Sequence, residues 1–127
     1  MSADYVQWFI YADENLAVAR LALEGGYFNA CLQNAQQAAE KYLKALLLAK
    51  CIGFQKTHSI ETLSRQLLGA GVETGLSEED CDLLDTIYVP SKYPMGSVLP
   101  DFNPDCETAG LCVELAERVR SAAQKIV

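Results

Sequence analysis

Apolar residues recur at intervals of three and four along most of this chain, and no segment of useful length alternates with a period of two. Phe9, Ala12, Leu16, Ala19 and Leu23 follow the helical period first, and Gly25-Gly26 supplies a stop. A helix is therefore expected from about Ala3 to Glu24. The pattern resumes at Phe28, Cys31, Ala35, Ala38, Tyr42, Ala45 and Ala49, which predicts a second long helix ending near Ile52, where Gly53 can take a left-handed conformation. The link between the two is so short that they must fold back on each other as an antiparallel pair. Ala35, Ala38 and Ala39 keep the second helix slim, so that a neighbour can approach closely.

Beyond Lys56-Thr57-His58, a shorter helix is expected with Thr57 or Ser59 as N-cap and Ile60, Leu63 and Leu67 turned inward. After a glycine-rich loop, Ser77 and Asp80 have the spacing of a capping box, and Glu78 and Glu79 suit the positive end of the helix that follows. Leu83, Leu84, Ile87 and Tyr88 give that helix an apolar side. Pro90, Pro94, Pro100 and Pro104 mark the next stretch as too proline-rich to be helical. Asn103 and Pro104 fit the N-cap and first position of a last helix, which buries Ala109, Cys112, Ala116, Val119, Ala123 and Ile126. The expected fold is all-α: an antiparallel up-and-down bundle of four long helices plus one short helix, forming a single domain over residues 1–127.

Composition narrows the classes. Half the residues are apolar, so the chain can bury a core without disulfides or metals. It has no uninterrupted apolar run of about 18 residues and no basic region before an apolar segment near Met1, so a cytoplasmic protein without a membrane span is expected. The five cysteines include no C-x-x-C pair and read as reduced thiols, several of them buried, with no metal-ligand spacing. The formal net charge of −7 argues against a surface built to coat nucleic acid.

The charge is unevenly spread. Residues 1–26 hold one arginine against four acids, and residues 66–127 hold four basic residues against eleven acids. Residues 27–65 reverse the sign, with Lys41, Lys44, Lys50, Lys56 and Arg65 against Glu40 and Glu61. The same segment carries the only histidine, His58, and a ridge of Gln33, Gln37, Lys41 and Lys44 with Gln36 and Glu40 beside it. An anion such as a nucleotide phosphate would prefer this region. Two descriptions of the ridge fit equally: a half-exposed helix edge, or a surface turned toward a ligand or partner.

The segment GGYFNACLQNAQQAAEKYLKALLL, the later KTHSIETL and the KYP triplet at Lys92–Pro94 resemble, in order and spacing, the HEPN domains, small all-helical modules named for nucleotide binding. The resemblance covers roughly Asp4 to Val127 and implies a dimeric module paired with a small nucleotidyltransferase, in a toxin–antitoxin-like arrangement, with a nucleotide site. By matching position it implies Lys56, Thr57, His58, Lys92 and Tyr93 as ligand-binding residues, joined by Gln37, Glu40 and Lys44 from the ridge. The lysines would neutralise phosphate oxygens, Tyr93 would stack on a base, and Gln37 or Glu40 would bond its edge or the ribose. Duller roles fit the same residues: Lys44 paired with Glu40 one turn earlier, His58 anchoring a turn, Tyr93 packed under the proline loop. Lys92 stands where related sequences often have Arg, and Met95 where they often have Asp.

Several chemistries are missing. The ribonuclease branch of HEPN proteins carries an Arg separated from a His by four to six intervening residues, and here those positions are Gly53, Ile52 and Cys51. Paired Glu-x-x-His motifs for a di-iron centre are absent, as are P-loop and nucleophile-elbow motifs. The expectation is a non-catalytic module without cofactor, with a nucleotide, a nucleotidyltransferase and a second copy of itself as partners. An alternative is a subunit that docks the nucleotidyltransferase and binds no ligand; a ribonuclease toxin is a distant third. Trp8 and Tyr11 are the aromatics expected at a dimer interface.

Overall fold

A computed structural model describes the backbone of residues 3–53, 56–92 and 104–126, and the side chains among them except those of 3 and 89–92. Five helices follow one another: α1 (Ala3–Gly25), α2 (Phe28–Ala49), α3 (Ile60–Gly69), α4 (Glu78–Lys92) and α5 (Cys106–Gln124), with no strand among the described residues. The all-α expectation of four long helices and one short holds. No described helix is long and apolar enough to cross a membrane.

The bundle is organised around α2, which packs against each of the other four helices. Its sequence explains this position. Cys31, Leu32, Ala35, Ala38, Ala39, Tyr42, Leu43, Leu46 and Leu47 are all fully buried, a set too wide for one helix face. The alanines leave room for α1, and α5 fills the other side through Ala109, Cys112, Leu115, Ala116 and Val119. A turn of two residues joins α1 to α2. Gly26, at φ 79, lets the Tyr27 amide reach back to the Ala22 carbonyl at 2.8 Å and ends α1.

The caps follow the sequence in part. Ser77 and Asp80 form the expected reciprocal box, the Asp80 amide donating to Ser77 Oγ at 3.0 Å and the Ser77 amide to Asp80 Oδ2 at 2.9 Å. Of the two caps considered for α3, Ser59 is the one used, accepting from the Thr62 amide at 3.2 Å.

Four details differ from expectation. Helix α5 begins at Cys106 with Asp105 as N-cap, not at Asn103-Pro104, because the Asp105 carboxylate takes the Thr108 amide at 2.7 Å. Helix α4 runs through Pro90 to Lys92. A proline in the last turn forgoes one backbone bond, which the end of a helix tolerates better than its middle. Ile126, expected in the core, lies beyond α5 and is exposed. The left-handed residue after α2 is Cys51, at φ 59, rather than Gly53. Helix α2 stops three residues before the predicted end, and the Ile52 amide returns to the Leu47 carbonyl at 2.8 Å, which fixes Cys51 at the position glycine normally takes.

A polar clasp joins α1, α2 and α5. Tyr42 donates its hydroxyl to Asp13 Oδ1 at 2.5 Å, and Arg120 Nε donates to the same oxygen at 2.8 Å. Phe9 lies edge-on to Tyr42 and beneath the Arg120 guanidinium. Burial alone would raise the Asp13 carboxyl, but the bonds from Arg120 and Tyr42 outweigh it and hold the group below its ordinary value. Burial, and then the neighbouring Asp13, push the Tyr42 hydroxyl far up.

Two outcomes follow from these geometries. Replacing Cys51 with Gly removes the left-handed penalty and returns part of that gain as unfolded-state entropy, for a net stabilisation of about 0.5 kcal/mol or more; an unchanged or lower urea midpoint would show that the turn carries no strain. Because the folded Asp13 is depressed, its contribution is present above the unfolded carboxylate range near pH 4 and is lost as pH falls through its lower folded value. Unfolding midpoints measured from pH 5 down to pH 2 should therefore fall less steeply for Asp13→Asn than for the natural chain.

Candidate functional site

The polar ridge of α2 does not run along the surface as one strip. Gln36, Glu40 and Lys44, spaced by four, turn into the bundle and are only 1%, 3% and 7% exposed. Lys41 goes the other way and donates to Asn15 of α1 at 2.7 Å, and Asn15 in turn donates to Asn34 at 3.0 Å. The expected outward surface is thus largely an internal seam.

Glu40 is the hub of that seam. Its Oε2 accepts from Lys44 Nζ at 2.8 Å and lies 3.1 Å from His58 Nδ1, while its Oε1 accepts from Gln36 Nε2 at 3.4 Å. Gln37 extends the row by donating to Gln36 Oε1 at 2.8 Å. In a neutral His58 the Nδ1 proton would face Glu40, which leaves Nε2 as the unprotonated nitrogen. Two rings close the cluster. The Lys44 ammonium sits 5.2 Å from the centre of the Trp8 ring, and the His58 ring stacks on Tyr88 of α4 with centroids 5.0 Å apart and planes at 16°.

The loop that carries His58 is held by α4. Asp85 accepts from the Ile60 amide at 2.6 Å, the Glu61 amide at 3.2 Å and the Ser59 hydroxyl at 3.2 Å. A carboxylate of the chain itself therefore occupies the positive end of α3, the place an external anion would otherwise take. His58, Ser59, Asp85 and Tyr88 line a shallow cavity of about 260 Å³, and the His58 side chain is 59% exposed at its edge.

The structure brings together Gln37, Glu40, Lys44 and His58 from the expected set. The duller role for Lys44, its ion pair with Glu40, is the one observed. Thr57 lies close in the chain but shapes the loop, its hydroxyl accepting from the Ser59 amide at 3.0 Å. Lys56 is exposed on the same loop. The Lys92 side chain and all of Tyr93 fall outside the described residues, as does the rest of the KYP segment. Gln36, Trp8, Asp85 and Tyr88 were not foreseen as site residues. Asp85 did carry a signal, an acid set between the buried Leu84 and Ile87. Trp8, expected as an exposed aromatic at a dimer interface, is half-buried, with Lys44 over its ring.

Other chemistry is thin. Among the described residues, no group of His, Cys, Asp and Glu is placed to hold a metal ion. Burial pushes the Cys31 thiol up to about 11 and that of Cys112 to about 12, so neither is a ready nucleophile. Cys51 and Cys106 are exposed.

Fold and site together define an all-helical module with a buried carboxylate hub and no arginine–histidine pair of the ribonuclease kind. The HEPN domain family profile matches residues 5–126, and the chain belongs to that family. Among solved structures it is similar to ST0689, an archaeal HEPN homologue, at 27% identity with 95% of each chain covered and a TM-score of 0.71. It is also similar to TT1696 from Thermus thermophilus, at 26% identity, covering 97% of this chain and 98% of that one, with a TM-score of 0.76. No curated protein matches it.

The buried pair makes a direct test. Glu40→Gln leaves the Lys44 ammonium desolvated without its counter-charge and should cost about 3 kcal/mol in urea unfolding. Adding Lys44→Met should recover at least about 1 kcal/mol of that loss. Strict additivity of the two substitutions would mean that the pair is hydrated and not coupled.

Proposed function

We propose that this chain is a non-catalytic HEPN module that binds a nucleotide or similar anionic ligand beside the Glu40 hub and works with a minimal nucleotidyltransferase partner. The observation that carries this reading is the buried polar row Gln36–Glu40–Lys44. A helical bundle does not need it for stability, because apolar residues of similar volume in place of a buried ion pair are neutral or stabilising by about 1–4 kcal/mol. Stability therefore does not account for the row by itself, and a row that opens onto an exposed histidine and a stacked tyrosine has the composition of a recognition site.

The charge balance divides the roles. Glu40 already neutralises Lys44, so phosphate charge would be met mainly by Lys56 and Lys92, with Lys44 as a nearby third cation. The His58–Tyr88 stack supplies an aromatic surface for a base, with Tyr93 as its sequence-derived companion. Gln37, Thr57 and Glu40 are left for polar edges of the ligand. The absence of an Arg at Cys51, Ile52 or Gly53 removes the group that would stabilise a cleaved phosphate, which supports binding over hydrolysis.

One observation favours the second reading, a docking subunit without ligand: the outward side of α1 is rich in exposed apolar residues. Thermal unfolding against a nucleotide panel separates the two. A nucleotide at one hundred times its dissociation constant should stabilise the protein by about 2.7 kcal/mol, and His58→Ala, at an exposed position, should abolish the shift without lowering the unliganded melting temperature by more than a few degrees. No shift with any nucleotide would leave docking as the function.

A further inference from the structure

Helix α1 has two apolar sides. Ala12, Leu16, Ala19 and Ala22 are buried in the bundle, with Phe9 and Leu23 packed against that core. Val6, Ile10, Tyr11, Val18 and Leu21 are exposed, Ile10 at 52% and Leu21 at 69%. At 100° per residue these five positions fall within a stripe of roughly 140°, opposite the buried one, and run for about 22 Å along the axis. A helix that is apolar all round is normally covered on every side.

Charge identifies what can cover it. Asp4, Glu14 and Glu24 are exposed along this helix and make no ion pair among the described residues. Arg20, the only basic residue of α1, is bonded to Glu117 of α5 at 2.7 Å. A second copy is a poor occupant. Glu14 lies within about 10° of the middle line of the stripe, so if two α1 helices paired antiparallel about the middle of the stripe, Glu14 would meet Glu14. If they paired parallel and in register, Glu14 would again meet its own copy. Like charges set against each other at an interface cost several kcal/mol, and neither of these arrangements avoids the pair at Glu14. We infer that the outward face of α1 docks a different protein, through an amphipathic segment whose apolar side is flanked by lysine and arginine.

This rests on the partner half of the proposed function and not on the ligand half. The rest of the chain adds to the match, since its net charge of −7 would steer a basic partner toward it. A homodimer of this protein, where one forms, uses a different face.

The test uses two labelled synthetic helices of roughly 18 residues, long enough to cover the stripe. Both carry the same leucine face, one flanked by lysines and the other by glutamates. Fluorescence anisotropy at physiological salt should show the basic peptide binding the intact protein, with affinity falling at least tenfold in Ile10→Asp and in Glu14→Lys, and the acidic peptide not binding. Both substituted positions are exposed, and matching melting curves would confirm that the variants fold. The inference is overturned if neither peptide binds, if both bind alike, or if neither substitution weakens the basic one. It is equally overturned if the natural chain is a dimer by light scattering and Ile10→Asp halves its mass. Peptide binding is read without nucleotide, so failure of the nucleotide panel leaves this result intact.

Discussion

A carboxylate taken out of water has to be answered by other groups, and the arrangement of this bundle around Glu40 is that answer. Lys44 supplies the counter-charge from the next turn of the same helix, Gln36 a donor from the turn before, and His58 a ring nitrogen from the loop to α3. Three side chains, two from α2 and one from the loop, are thereby tied to one carboxylate that is almost wholly buried. The loop cannot move independently of α2 while His58 keeps its bond. Asp85 fixes the same loop from the other side by capping α3. Trp8 and Tyr88 then roof the charged groups with aromatic faces, which favour a cation and a planar ring respectively.

Such a construction is expensive in desolvation, and the remainder of the core is arranged so that the bundle tolerates it. Helix α2 is apolar over most of its circumference and touches every other helix, so the polar row occupies one edge of a helix anchored on its remaining sides. The clasp of Asp13, Tyr42 and Arg120 sits on the α1–α5 side, with its own carboxylate held charged by two donors. The two networks leave from interleaved positions of one helix, Glu40 and Lys44 toward His58 and Trp8, Tyr42 toward Asp13 of α1 and Arg120 of α5. Polar groups with fixed partners specify which helix faces which, a task that interchangeable leucines and alanines perform poorly.

Much of this fold is legible in the residues. The period of three and four from Phe9 to Leu23 and from Phe28 to Ala49 contains the antiparallel pair, and Ser77 with Asp80 contains the start of α4. Helix ends were less legible. Gly53 looks like the natural stop for α2, yet the backbone bond from Ile52 to Leu47 sets the turn two residues earlier and leaves a cysteine in the left-handed position. Pro90 looks like a terminator, yet a last turn can lose one bond and continue. In the site, Glu40, Lys44 and His58 were visible because charge on a largely apolar helix, and a solitary histidine, are conspicuous. Asp85 and Tyr88 were not, because their value lies in contacts with residues about 25 to 30 positions away, and no local period encodes such contacts.

Helix α1 makes the complementary point about what periodicity conceals. An amphipathic pattern is recognisable by contrast between faces, and α1 has little contrast because residues on both sides are apolar. Its inward set alone suffices to predict the helix and its place in the bundle. The outward set then looks like ordinary surface scatter, since single exposed apolar residues are common. The helical period places Val6, Ile10, Val18 and Leu21 on one side, and only the fold shows that they stay exposed there and that the one arginine of α1 is already bonded to α5. What is left on that side is largely apolar surface whose exposed charges are acids, Glu14 within it and Asp4 and Glu24 at its flanks. Glu14, the acid that sets such a surface against its own copy, is also one that a basic partner would pair with, so rejection of the copy and selectivity for the partner have one physical cause.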